Sequence, residues 1–158
     1  MIKSFIVPLI LIITLNPAHG EEANTLSEDT NKFLCSASAA MTYEATRMRD
    51  KGIIAEKAEK KLETMFLKGE NSRIKVFLSF AVDHAYKLNE FNEVTNYTLW
   101  LAACTIQLVH QRRNSIDFKY KYISMVKDKI KSCENQNQSK KQIDECVLNI
   151  IMPALRHG

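Results

Sequence analysis

Four cysteines and three histidines beyond the first twenty residues have the most chemistry to offer. Cys35, Cys104, Cys133 and Cys146 could serve as metal ligands, as nucleophiles or as two disulfides. Structural zinc sites draw on close pairs such as C-x-x-C, and thiol-redox sites use the same spacing. That motif does not occur, and the 12-residue gap between Cys133 and Cys146 is too long for a single ligand turn. His84 stands beside Asp83, but adjacent helical residues point in different directions, so the two make a poor base and orienter. His110 falls at a helix end, where a partly charged imidazole suits the dipole, and His157 lies in the tail. H-E-x-x-H, G-x-S-x-G and phosphate-cradling glycine patterns are missing. Glu56, Glu59 and Glu63 could pair for sugar chemistry, yet Lys57, Lys60 and Lys61 are interleaved with them, which marks a solvated helix face. The chain is therefore expected to hold no catalytic site, metal or cofactor.

The remaining chemistry is recognition. Arg112 and Arg113, with the lysines that follow, could bind phosphate, but nucleic-acid binders combine a stronger basic excess with a recognisable module. No nucleic-acid partner is expected. Tyr97, Trp100, Phe118, Tyr120 and Tyr122 read as core and rim. Trp and Arg commonly anchor protein interfaces, so Trp100, Arg112 and Arg113 are the candidate partner-binding residues. Asn96-Tyr97-Thr98 and Asn137-Gln138-Ser139 match the N-glycosylation acceptor pattern, which matters only in a eukaryotic source.

The compartment decides what the thiols do. Lys3 precedes an apolar run from Phe5 to Leu15, and Ala18 and Gly20 occupy the −3 and −1 positions of a cleavage site before Glu21. This is the pattern of a secretory signal peptide over residues 1–20. A membrane anchor needs about 20 apolar residues, whereas this run is short, contains Pro8 and stops at Asn16-Pro17. No stable membrane insertion is expected after cleavage. An exported chain meets an oxidising environment, where the four cysteines should be disulfides.

Residues 21–158 fit one domain with a real core. Gly and Pro are scarce, and Lys, Glu, Leu, Ile, Ala and Met dominate, which favours helices. The charge is uneven: residues 21–109 carry 11 basic and 13 acidic side chains, residues 110–158 carry 10 and 5. A solvated face accounts for that excess, and it also suits an acidic partner.

Helical periodicity organises the whole of this stretch. After a polar leader (21–26), Ser27 or Asp29 caps a first helix with Leu34, Ala37, Met41, Ala45 and Met48 on one face, stopped at Gly52. A second, from Ile54 to Leu67, buries Ile54, Ala58, Leu62, Met65 and Phe66 and ends at Gly69. The third begins after Asn71 or Ser72 and turns Ile74, Phe77, Leu78, Ala81 and Ala85 inward. The fourth, from Glu93 to Gln111, carries the stripe Val94, Tyr97, Leu101, Thr105 and Leu108. Asn114 and Ser115 offer a cap for the fifth, which buries Ile116, Tyr120, Ile123, Val126 and Ile130 and reaches Cys133. Ser139 and Gln142 form a capping box for the sixth, whose inner face is Ile143, Cys146, Val147, Ile150 and Ile151 and which Pro153 should close. Strand-like alternation never persists. The expected fold is all-α: a single five- to six-helix bundle with a C-terminal helical hairpin over 114–158.

Four cysteines allow three pairings. A hairpin of the last two helices brings Cys133 to Cys146, which leaves Cys35 to tie the first helix to the fourth through Cys104. In the chain-entropy model such loops contribute about 3 and about 4 kcal/mol.

The stretch Cys35-Ser-Ala-Ser-Ala-Ala-Met-Thr-Tyr-Glu-Ala-Thr-Arg-Met-Arg-Asp-Lys-Gly52, followed by Ala85-Tyr86 and Cys104, resembles the opening of small exported proteins of Gram-negative bacteria. That resemblance spans residues 33–106; it implies an all-helical, disulfide-bonded periplasmic fold without an assigned activity and supports the Cys35–Cys104 pairing. Trp100-Leu-Ala-Ala-Cys104 resembles a segment of periplasmic immunity proteins that inhibit cell-wall-cleaving toxins. The expected function is a non-enzymatic, exported protein that binds another protein in the periplasm. An immunity or inhibitor role, a small wall-active hydrolase and a helical carrier are the alternatives.

Overall fold

A computed structural model describes residues 28–67, 72–108, 116–136 and 139–157, and these form six helices with no strand among them. The helices are α1 (Glu28–Asp50), α2 (Ala55–Phe66), α3 (Ser72–Lys87), α4 (Glu93–Leu108), α5 (Ile116–Gln136) and α6 (Lys140–His157). The export segment, the polar leader, Ser27, Gly69, Asn71, His110, Arg112, Arg113, Asn114, Ser115 and the Asn137-Gln138 pair lie outside the described residues.

Local chemistry sets the helix ends. Gly52 adopts φ 74°, the left-handed conformation open to glycine, and α1 closes with Gly52 N donating to Arg49 O (2.8 Å) and Ile53 N to Met48 O (3.0 Å). Asn92 starts α4 by accepting from Thr95 N at 2.9 Å. At α6, Gln142 N donates to Ser139 Oγ (3.2 Å) and Ser139 N to Gln142 Oε1 (3.3 Å), the reciprocal capping box. Pro153 does not close α6, which runs on to His157. Proline removes one N–H and frees the carbonyl four residues back, here that of Asn149. Both residues face solvent, so water can take up the freed group.

Neighbouring helices alternate in direction. Cys35–Cys104, Trp100 against Ser38 and Asn96 against Thr46 set α1 antiparallel to α4. Asn92 N on Glu134 and Lys131 Nζ on Glu90 O set α5 antiparallel to α4, and Tyr122 on Ile150 O returns α6 along α5. The result has α4 in the middle, packed on α1, α3, α5 and α6. One core, built on Met41, Leu62, Leu78 and Val82, lies between α1, α2 and α3. The other, built on Phe91, Leu99, Ile130, Val147 and Ile151, lies between α4, α5 and α6. The disulfides differ in reach: Cys35–Cys104 pins α1 to α4 and so joins the two sides, and Cys133–Cys146 closes the α5–α6 hairpin.

Burial departs from the periodic expectation in α1, α2 and α4. In α1, Leu34, Met41 and Ala45 are buried as expected, but so are Ser38, Thr42 and Thr46. Each of these hydroxyls donates back to a carbonyl four residues earlier, at 2.8–3.0 Å, so a polar stripe is buried with its donors satisfied locally. In α2 only Ala58 and Leu62 are buried, while Ile54 and Met65 are more than half exposed. In α4 the expected stripe is only partly the inner face: Val94 is buried, but the three residues that follow it are not. Tyr97, Leu101 and Thr105 are half-buried, whereas Thr95, Asn96, Thr98, Leu99, Ala102, Cys104 and Ile106 are buried. A helix enclosed on several sides buries residues around most of its circumference, so no single stripe marks its interior.

Buried polar groups fix the turn between α3 and α4. Arg49 Nη1 donates to Ala85 O (2.7 Å) and Leu88 O (3.0 Å), and its Nη2 donates to Phe91 O (2.8 Å). Asn96 Nδ2 reaches the same Leu88 and Phe91 carbonyls and Thr46 Oγ1, at 3.2–3.3 Å. The end of α3, which lacks a capping glycine, is thereby closed from α1 and α4.

Candidate functional site

Buried Val94 and half-buried Tyr97 of α4 lie along a gap. α1 and α6 both pack on α4, but among the described residues they make no direct backbone contact with each other. Between them opens a groove of about 500 Å³. Val94 and Tyr97 form its floor, Ala40, Tyr43 and Glu44 of α1 one wall, and Lys140, Lys141 and Asp144 of α6 the other, with Phe66 of α2 at one end. Bundle grooves of this volume between helices are common ligand and peptide sites.

Polar groups around the mouth are engaged within the protein. Glu44 pairs with Arg47 at 3.0 Å, and Asp144 accepts from the Thr98 hydroxyl. Lys140 reaches across the gap to donate to Tyr43 Oη at 2.7 Å, its ammonium 4.9 Å from the ring centroid. The hydrogen bond to Tyr43 is the main cause that raises the Lys140 pKa above its ordinary value. Lys141 pairs loosely with Glu145, at 3.8 Å. The interior is thus left to three aromatic rings, an alanine and a valine, with charge at the rim.

The candidate chemistry read from the sequence lies elsewhere. His84 is wholly buried, its Nδ1 3.3 Å from Tyr120 Oη and its ring edge-on to Trp100 at 5.2 Å. Asp83 turns outward and pairs with Lys87 at 2.8 Å. Burial, reinforced by the charge of Asp83, pushes the Tyr120 hydroxyl well above its ordinary pKa. His84 is thus enclosed, while Trp100 and Tyr120 of the same cluster are half-buried. Trp100 is half-buried; its indole N–H donates to Ser38 Oγ at 2.8 Å, and it does not line the groove. Arg112 and Arg113 fall outside the described residues, so the three candidate interface residues are not brought together by any described contact. All four cysteines are consumed in the two disulfides, and among the described residues no group of three His, Cys, Asp or Glu side chains could hold a metal ion. Glu56 and Lys60 pair at 3.2 Å on the exposed face of α2, as interleaved charges should.

Tyr43, Phe66, Ala40 and Lys140 were not singled out in the sequence as site residues. The signal that pointed toward the groove was the α4 stripe itself, which carried Val94, Tyr97 and Leu101 at helical spacing. Comparison with protein-family models, curated proteins and solved structures found no match, so these contacts alone carry the functional reading.

Proposed function

We propose that this chain is an exported, non-enzymatic binding protein of the periplasm or the secreted space, and that it takes an apolar segment of another protein into the groove between α1 and α6. One observation carries the reading: Tyr97 of α4 is only half-buried and, with Val94, Ala40, Tyr43 and Phe66, leaves an apolar groove that its own fold does not fill. Exposed apolar surface rimmed by charge is the usual signature of an interaction site. Two disulfides support an oxidising compartment, and no helix among the described residues is long and apolar enough to cross a membrane. An inhibitor of a wall-degrading enzyme would use such a groove in the same way.

The test places a photo-crosslinking amino acid at Tyr97 in the exported protein, with a control at exposed Lys57 on α2. One partner protein, captured from position 97 and not from 57, is the expected result. Equal capture from both positions, or none from position 97, overturns the reading.

A further inference from the structure

A side chain, not packed backbone, joins the two walls of the groove. Among the described residues α1 and α6 make no direct backbone contact, yet Lys140 of α6 donates to Tyr43 Oη of α1 at 2.7 Å, its ammonium 4.9 Å from the ring centroid. Lys140 also lines the groove. A lysine rooted on one wall with its tip on the other has its methylene stem across the mouth, over the floor of Val94 and Tyr97. Lys141, its neighbour in sequence, pairs with Glu145 on its own helix at 3.8 Å and spans nothing.

The root of this bridge is fixed and its tip is not. Lys140 opens α6 inside the capping box of Ser139 and Gln142, and Ile143 N donates to Ser139 O at 3.1 Å. Ile143 is buried and Asp144 accepts from Thr98 of α4, so the first turn of α6 is anchored independently of the lysine tip. At the other end Tyr43 packs on the core between α4, α5 and α6, and Arg47, held by Glu44, lies 6.0 Å from its ring. Between these anchors the Lys140 side chain is exposed, and an exposed charged contact is weak enough to open and re-form.

Resting on the proposed function, we infer that Lys140 is a strap across the groove. Closed on Tyr43 it covers the apolar floor, and an occupant must lift it to enter. Swung out, it leaves the floor open between walls that have not moved. Entry is thereby regulated by one side chain, without the shift of a helix.

Access to the floor tests this without any partner. The neutral nitroxide TEMPOL is added to the intact, oxidised protein, and its relaxation of the Val94 methyl and Tyr97 ring protons is measured relative to the methyl of Met125, which is 74% exposed on α5. Lys140→Ala should raise the relative relaxation about threefold, within the span that an exposed charged contact supports. Tyr43→Phe, which keeps the ring and removes the hydroxyl, should give a smaller rise. Lys140→Arg should stay near the wild type, because a guanidinium also donates to the hydroxyl and stacks on the ring. Lys141→Ala removes the same charge from the same turn and should change nothing. No rise in Lys140→Ala, or an equal rise in Lys141→Ala, overturns the inference, whatever the crosslink at position 97 shows. A rise as expected with no partner captured at position 97 supports the strap and overturns the binding reading alone.

Discussion

Arg49→Met is the most informative single perturbation of the scaffold. The Arg49 side chain is 11% exposed, and its guanidinium holds three main-chain carbonyls, of Ala85, Leu88 and Phe91, at 2.7, 3.0 and 2.8 Å. Asp50 accepts two further bonds from the same group and orients it. A hydrogen bond from a charged donor contributes roughly 1.5–3 kcal/mol, but three bonds on one fork do not add. Asn96 Nδ2 also remains on two of the carbonyls. Methionine keeps the apolar stem and removes the fork, so the expected loss is about 3 kcal/mol. At roughly 3 °C per kcal/mol for a domain of this size, Tm should fall by about 9 °C. Urea unfolding followed by far-ultraviolet circular dichroism, with both disulfides intact, measures the change as a lower midpoint at unchanged slope. Arg49→Lys should recover little, because an ammonium cannot span the three carbonyls as a planar fork does. A loss below about 1 kcal/mol, or full recovery by lysine, would refute the assignment of Arg49 as the closure of α3.

Mild reduction should open Cys133–Cys146 before Cys35–Cys104, since Cys146 is half-buried while Cys35 and Cys104 are buried; timed alkylation and mass spectrometry would show equal labelling if burial did not govern access. Tyr120 has a folded pKa raised by burial, so above the ordinary tyrosine value of about 10 the unfolded chain loses its proton first and stability falls as pH rises. Alkaline unfolding of Tyr120→Phe should therefore be shallower than that of the wild type above pH ~10, and identical curves would exclude Tyr120 as a contributor. Asn96 heads a glycosylation triplet but is wholly buried and bonded to Thr46, Leu88 and Phe91. Expression through a eukaryotic secretory pathway should yield misfolded protein wherever Asn96 carries a glycan, with folding restored by blocking glycan transfer. A glycan mapped to Asn96 in protein with both native disulfides would contradict the burial.

Local signals in the sequence were read well where the physics is local. Gly52 could be recognised as a stop because the left-handed conformation is a property of one residue, and Ser139 with Gln142 could be recognised because a capping box spans four. Both disulfide pairings followed from helix order. Burial was legible where one apolar stripe faces the core, as with Leu78, Ala81 and Ala85 of α3, Ile123 and Ile130 of α5, or Ile143, Val147 and Ile151 of α6. On α4 the periodic stripe was real but its meaning was not, because periodicity says which residues share a face and not which helix covers it. Ser38, Thr42 and Thr46 look solvent-facing by composition, and only the tertiary contact with α4 explains their burial. The groove residues come from α1, α2, α4 and α6, and no spacing along the chain announces such a set.

The central position of α4 has a consequence for how the molecule loses structure. The α4–α5–α6 cluster closes on α4 and holds Cys133 of one disulfide, whereas the other disulfide ties α4 to α1. Removing the Cys133–Cys146 clamp frees the hairpin to open as a cooperative unit while α4 keeps its packing against α1 and α3. Amide protons of α5 and α6 should then exchange in a faster class, and those at Thr95, Asn96 and Leu99 in the slowest. A partner segment seated in the groove would slow that exchange furthest around half-buried Tyr97, so a protection map would reveal occupancy without identifying the occupant.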